Sequence, residues 1–126
     1  MLNIINCTPH EVVIYETSDC CMRDGFLYLR DDGEEFPQPF LTLPAANEPA
    51  RVTFVQKVDG MVDGILIYRW FPEEVVNLPE PKTDMFYIVS KMVAQACPER
   101  EDFVLPGTVV RDADDHVVGC IDFSRV

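Results

Sequence analysis

Short alternations of apolar and polar residues dominate this chain, and helical spacing is rare. Five segments have the length and the β-branched or aromatic content of strands: LNIIN, EVVIY, FLYLR from Phe26 to Arg30, RVTFVQKV from Arg51 to Val58 and ILIYRWF from Ile65 to Phe71. Prolines and clusters of turn-forming residues separate these segments. The pattern therefore predicts a sheet of many short strands.

Three segments between the strands lack this alternation. ETSDCCMRDG is predicted to be a loop, DDGEEFPQP an exposed acidic excursion, and VVNLPEPKTD a rigid linker, because its prolines disfavour helix. In the last third, VLPGTVVR and HVVGCIDF are predicted to form a hairpin that is closed by residues 112–115.

One short helix is predicted, also in the last third of the chain. Met85–Val89 suits a strand, Ser90 is a good N-cap, and Pro98 ends the helix after about Cys97. Its buried stripe is predicted to consist of Val89, Val93, Ala96 and Cys97. Together these elements predict a single α+β domain over residues 1–126, a small, mostly antiparallel sheet with one short helix near the C-terminal third.

The net charge of the chain limits the classes of molecule that it is expected to bind. The chain carries 22 acidic and 10 basic side chains, a formal net charge of −12. This balance disfavours nonspecific binding to nucleic acid or to an anionic membrane, which needs a positive field. No apolar run approaches the roughly 20 residues of a membrane span, and no secretory leader opens the chain. We therefore expect a soluble protein of the cytoplasm.

Metal and catalytic motifs are missing from the sequence. The five cysteines include no CxxC pair, so reduced thiols are expected rather than a metal site. No GxSxG, HExxH, GxGxxG or P-loop pattern occurs. A paired-carboxylate hydrolase could be built from Asp112, Asp114 and Asp115, but acids in a hairpin turn commonly serve the turn itself. The sequence predicts no enzyme, no catalytic residue and no cofactor.

The start of the predicted helix is a candidate anion site. Backbone N–H groups are free there, Lys91 follows the Ser90 cap, and Gln95 lies one turn further on. The preceding strand supplies Phe86 and Tyr87, whose rings could stack on a base. The alternative is that both rings belong to the core and that Ser90 is only a helix cap.

Arg111 is the most unusual residue of the predicted last hairpin. Strand alternation places it on the face of Val109, away from the adjacent acids. Two interpretations stay open: a salt bridge to Asp112, or an anion contact.

Both ends of the chain resemble a known family. NCTPHEVVIY, YIVSKMVAQACPERED and PGTVVRDADDHVVGC are similar to segments of the first type of Thoeris anti-defence protein. The resemblance implies a phage or prophage sponge that sequesters cyclic ADP-ribose isomers made by TIR enzymes without cleaving them. It also implies separate sites for the cyclic di- or trinucleotides of cyclase-based (CBASS) defence, and dimers assembled into hexamers with the ligand enclosed between protomers.

The resemblance also assigns site residues. The arginine of its VRD motif is Arg111, and the strand–helix junction runs from Phe86 to Lys91. An arginine from the N-terminal half is implied as well, for which Arg30 and Arg23 are the candidates. Cys7 and the acidic insert of residues 31–35 depart from the family pattern.

Two other functions remain alternatives, a small nucleotide hydrolase and a phage accessory interaction module without a small ligand. The aromatics of GILIYRWF, with Trp70 as anchor, could form an oligomer contact or an ordinary core strand.

Overall fold

The computed structural model describes residues 3–31 and 37–126. Most of the predicted acidic excursion therefore lies outside the described residues. In chain order the elements are β1 (Ile4–Asn6), β2 (Val12–Ile14), a 3-10 turn (Thr17–Asp19), β3 (Cys20–Arg23), β4 (Phe26–Leu29), β5 (Leu41–Leu43), β6 (Arg51–Val62), β7 (Ile65–Val76), β8 (Phe86–Ile88), α1 (Lys91–Ala96), β9 (Phe103–Pro106), β10 (Val109–Arg111), β11 (Val117–Cys120) and β12 (Phe123–Ser124).

These strands form three sheets. A six-stranded sheet has the order β3-β4-β10-β11-β2-β5, a four-stranded sheet has the order β1-β8-β9-β12, and β6 and β7 form a two-stranded sheet. The pairs β3–β4, β10–β11, β2–β5, β9–β12 and β6–β7 are antiparallel, whereas β4–β10, β2–β11, β1–β8 and β8–β9 are parallel. The predicted α+β class with one short helix is confirmed, with parallel and antiparallel pairs mixed in the sheets. The predicted last hairpin is β10–β11.

The four-stranded sheet lies between the other layers of the fold. Ile88 and Val104 from this sheet pack with Val12, Ile14 and Cys120 of the six-stranded sheet. On its other side, the neighbouring residues of β8 and β9 pack against α1 in a cluster that consists of Ala50, Tyr87, Val89, Val93, Ala94, Cys97 and Phe103. Alternate side chains of β8 therefore join two separate parts of the core.

The helix forms where the sequence predicts it. The Ser90 hydroxyl accepts a hydrogen bond from the backbone N–H of Val93 at 3.3 Å, which satisfies one free donor of the first turn. Of the predicted stripe, Ala96 is exposed and Ala94 is buried in its place. Within the described ranges, no helix is long and apolar enough to cross a bilayer.

The prediction of a loop over ETSDCCMRDG is wrong for its second half. Residues Cys20–Arg23 form β3, which pairs with β4 in the register Cys20↔Leu29 to Arg23↔Phe26. The turn between them is Asp24-Gly25, with φ of 51° and 84°. Asp-Gly suits the two positive φ angles of a tight hairpin turn, and this dipeptide was the signal for β3.

The β6–β7 hairpin is longer than predicted and leaves the body of the protein. Each strand has 12 residues, joined by Asp63-Gly64 with φ of 49° and 84°. Only its base packs on the core, through Val52 and Val75. From residue 56 outward every position except Gly60 is exposed as far as residue 74, so GILIYRWF is not a core strand.

Candidate functional site

Arg111 lies at the end of β10, beside β4. The parallel pairing sets it opposite Tyr28, and its guanidinium carbon is 5.2 Å from the centroid of the Phe26 ring. Its Nη1 donates a hydrogen bond to the main-chain carbonyl of Asp115 at 3.0 Å. Its Nε is inaccessible to solvent and has no hydrogen-bond partner among the described residues. Across these same residues Arg111 forms no ion pair, so the predicted alternative of a salt bridge to Asp112 is not what the structure contains.

Arg23 approaches the same place from β3. It lies opposite Phe26, and its guanidinium carbon is 4.1 Å from the centroid of the Tyr28 ring. Like Arg111, it has no carboxylate partner within the described ranges. The cation–π contact fixes the arginine over the ring without neutralising it.

A hydrogen bond fixes the second ring as well. The Tyr28 hydroxyl donates to Oδ1 of Asp115 at 2.5 Å, and this bond raises the pKa of Tyr28 above its usual value. Asp115 has a positive φ of 64°, which turns the chain back after Arg111. One acid of the turn therefore contacts the tyrosine through its side chain and the arginine through its carbonyl.

We call this group the arginine–aromatic surface, which consists of Arg23, Phe26, Tyr28, Arg111 and Asp115. It combines two aromatic rings with two guanidinium groups, which have no ion-pair partner among the residues that the structure describes. The Phe26 side chain is 52% exposed. Guanidinium groups bind phosphate through paired charge-assisted hydrogen bonds, and an exposed ring stacks on a base. The surface therefore has the chemistry to bind an anion that carries a planar group.

The neighbouring acids mainly stabilise the turn between β10 and β11. Oδ1 of Asp112 accepts hydrogen bonds from the backbone N–H groups of Asp114 and His116, at 2.9 and 3.0 Å. These bonds, that from His116 foremost, hold the pKa of Asp112 below its usual value. Asp112, Asp114 and His116 lie close enough to share a cation, but Asp112 already serves the backbone of the turn.

The two aromatic residues predicted before the helix lie apart from this surface. Tyr87 is 3% exposed, its hydroxyl donates to the Glu80 carbonyl at 2.8 Å, and its ring packs edge-on against Phe103. This corrects the expectation that Tyr87 contacts a ligand, because its ring belongs to the core. Phe86 is 42% exposed and borders an open cavity of about 450 Å³ beside the four-stranded sheet.

The polar residues predicted at the junction have different positions. Ser90 is used as the helix cap described above. Lys91 and Gln95 are exposed on α1, and Gln95 borders a shallow cavity between the helix and the base of the hairpin. A helix of six residues presents only a weak dipole, so this junction is a poor phosphate site.

Of the two N-terminal arginine candidates, Arg23 lies on the same surface as Arg111, with the rings of β4 between the two strands that carry them. Arg30 follows β4, and its Nε donates to the main-chain carbonyl of Ser18 at 3.0 Å. Phe26 and Tyr28 were not among the predicted site residues. The available signal was their alternation along FLYLR, which places both rings on one face of a strand.

Two of the thiols, those of Cys97 and Cys120, lie in the core and away from this surface. Burial raises the pKa of Cys97 and of Cys120, which lie in two of the core clusters. A raised pKa lowers the thiolate fraction, so these cysteines are packing residues and poor nucleophiles.

Comparison of the chain with known protein families, with curated proteins and with solved structures gives no match.

Proposed function

We propose that this protein binds cyclic ADP-ribose isomers made by TIR enzymes and sequesters them, uncleaved, in the cytoplasm of an infected or lysogenic bacterium. One observation carries the proposal. In a chain with a net charge of −12, Arg23 and Arg111 flank a pair of aromatic rings and neither has a carboxylate partner among the described residues. A diphosphate supplies the missing negative charge, and a purine supplies a face for the ring of Phe26.

The inaccessible Nε of Arg111 supports this assignment. A buried donor without an acceptor costs about 1–3 kcal/mol, so a purely structural arginine would be expected to have its acceptor within the fold. Because solvent does not reach Nε, a ligand would contact this guanidinium through its Nη nitrogens.

Affinity sets a further requirement. Competition with a host receptor needs nanomolar binding, about −12 kcal/mol. Two charge-assisted contacts at about 1.5–3 kcal/mol each and one stack at about 1–3 kcal/mol do not reach that value. Enclosure of the ligand contributes the rest, and an open sheet surface needs a neighbouring copy of the chain to provide it. The proposal therefore includes a homo-oligomer with the ligand between protomers.

The experiment that tests the proposal is a calorimetric titration of the purified protein with cyclic ADP-ribose isomers, with linear ADP-ribose and cyclic di- and trinucleotides as comparison ligands. The complex is then heat-denatured, and the mass of the released ligand is measured by mass spectrometry. We expect nanomolar binding of a cyclic ADP-ribose isomer and its recovery at unchanged mass.

Single substitutions assign the binding to the arginine–aromatic surface. Arg111→Ala and Arg23→Ala are each expected to weaken binding at least about 10-fold, the loss of one charge-assisted contact. Arg69→Ala is the matched control, because it removes the same charge from an exposed arginine that Asp59 already neutralises at 2.9 Å. Equal losses in all three variants would indicate a general charge effect and refute the site.

The two alternative functions give different results in the same experiment. A hydrolase present in substoichiometric amount would consume excess ligand and release products of altered mass. An accessory interaction module would show no heat of binding with any nucleotide. Either result would overturn the sponge proposal.

A further inference from the structure

The outer part of the β6–β7 hairpin exposes an unusual amount of apolar surface. Nine large apolar residues between positions 58 and 71 are each at least 38% exposed: Val58, Met61, Val62, Ile65, Leu66, Ile67, Tyr68, Trp70 and Phe71. A two-stranded hairpin is only marginally stable in water without packing against something else. An apolar patch of this size on a soluble chain commonly marks an interaction surface.

The register divides these residues between two different faces. The pairs Met61↔Leu66, Val58↔Tyr68 and Gln56↔Trp70 alternate with the pairs of the opposite face. We call the first set the Trp70 face: Gln56, Val58, Met61, Leu66, Tyr68 and Trp70. None of these six side chains is charged.

The opposite face carries the hairpin's cations. Lys57 and Arg69 are paired across the strands, Arg69 forms an ion pair with Asp59 at 2.9 Å, and the Lys57 ammonium lies 5.5 Å from the Phe71 ring centroid. These contacts keep the charged groups satisfied on their own face. The Trp70 face is left as the uncharged one.

We propose that the Trp70 face is a self-association surface that packs against the same face of a second copy of this chain. The charge of this segment indicates that the partner is a second copy of the chain. Lys57 and Arg69 balance Asp59 and Asp63, so residues 55–71 are neutral although the whole chain carries −12. Two copies can therefore meet here without placing acid against acid, whereas a basic partner would find no carboxylate on this face.

The area agrees with a dimer of this kind. The five apolar side chains of the Trp70 face are 44–63% exposed. A large aromatic residue has about 150–250 Å² of surface to bury, and an aliphatic residue has less. With about half of each side chain exposed, the five together offer on the order of 600 Å² per chain. Two such faces bury about 1,200 Å² in total, the lower limit for a specific interface.

The order of residues along the face suits a two-fold contact. Met61 and Leu66 lie next to the tip, Val58 and Tyr68 follow, and Trp70 lies nearest the body. A two-fold axis near Val58 and Tyr68 would set Trp70 of one copy against Met61 and Leu66 of the other. Such an isologous contact closes after two copies.

Trp70 reports on this contact directly, since it is the sole tryptophan of the chain and is 63% exposed in the single copy. We expect sedimentation to give a dimer or a multiple of it, and expect the fluorescence to be blue-shifted and protected from acrylamide. On dilution, the mass should fall to the monomer and the emission should shift to the red at the same concentration. These measurements use the unmodified protein without ligand, so their outcome does not depend on whether the protein binds a nucleotide.

Two neighbouring residues provide matched variants. Leu66 is 44% exposed on the Trp70 face, and Ile67 is 43% exposed on the opposite face. Leu66→Lys is expected to raise the dimer dissociation constant at least about 30-fold, as for a hot-spot residue, while Ile67→Lys changes it less than about 3-fold. Trp70→Ser is a second disrupting variant, and far-UV circular dichroism checks the fold of all three.

Three results would overturn the inference. The first is a protein that stays monomeric at high concentration with Trp70 freely quenched. The second is an oligomer in which Trp70 stays freely quenched, which would place the contact elsewhere on the chain. The third is an oligomer that Leu66→Lys and Ile67→Lys weaken equally, which would mean that the copies do not associate specifically through the Trp70 face.

Discussion

Replacing Arg111 with Met separates a ligand contact from a structural role. The substitution removes the guanidinium but keeps an unbranched apolar side chain beside the Phe26 ring. Two favourable contacts are lost, the hydrogen bond to the Asp115 carbonyl at 3.0 Å and the cation–π contact at 5.2 Å. Together they contribute about 1–3 kcal/mol at this partly exposed position.

An unfavourable contribution disappears at the same time. The Nε of Arg111 is buried without a hydrogen-bond partner in the described structure, at a cost of about 1–3 kcal/mol. The two contributions nearly cancel, so the free energy of unfolding should change by no more than about 1 kcal/mol. For a chain of 126 residues this is a shift of about 3–5 °C in Tm. Ligand affinity, in contrast, should fall at least about 10-fold.

Urea unfolding of the ligand-free protein measures the stability change. Val110→Ala, one residue away and fully buried, is the comparison variant, with an expected loss of about 2–3 kcal/mol. If Arg111→Met destabilises the protein as much as Val110→Ala does, Arg111 is a structural residue. Arg111 would then not be held in place for an anion, whatever the effect of the substitution on binding.

Two further substitutions test the fold. Ser90→Ala removes the cap of α1 and should lower the free energy of unfolding by about 1 kcal/mol in thermal melts, whereas an unchanged Tm would show that the cap contributes nothing. The hydrogen bonds from Arg100 hold the pKa of Asp102 below its usual value of about 3.8, so their stabilisation is complete above that pH and is lost as the pH falls through the lowered pKa. Asp102→Asn should therefore flatten the pH dependence of urea unfolding below about pH 4, and an unchanged slope would contradict the assignment.

Local signals predicted the helix and most strands. The Ser90 cap and Pro98 set the ends of α1 to within a residue, because caps act on their own turn. The alternation of apolar and polar residues predicted β4, β6 and β7. The outer end of β6 was not predicted, because neither face is buried there and no change of pattern marks where the strand ends. The pairing of strands could not be predicted in the same way. β1 pairs in parallel with β8, so that Ile4 lies opposite Phe86, and no nearby residues encode that contact.

At the candidate site, too, features that depend on nearby residues could be predicted, whereas features that depend on strand pairing could not. Alternation singled out Arg111 as a cation on the wrong face for its neighbouring acids. Its surroundings depend on the parallel pairing of β10 with β4, which joins residues more than eighty positions apart. Phe26 and Tyr28 could therefore be predicted as strand residues but not as neighbours of Arg111. Tyr87 was misplaced for the converse reason, since an aromatic residue in a short strand suits both a core and a site.

The strong negative charge of the chain is compatible with a site for an anion. The acids nearest to Arg111 already serve as acceptors: Asp115 accepts from Tyr28, and Asp112 accepts from two backbone N–H groups. More distant carboxylates act through solvent, where salt screens them beyond about 8 Å. The hydrogen bonds to Asp112 and Asp115 orient the carboxylates but do not remove their charge, so the nearby acids still oppose an anion. An anion is favoured here only where it contacts the guanidinium groups of Arg23 and Arg111 directly, which have no ion-pair partners in the described structure. Net charge slows the approach of an anion without preventing its binding.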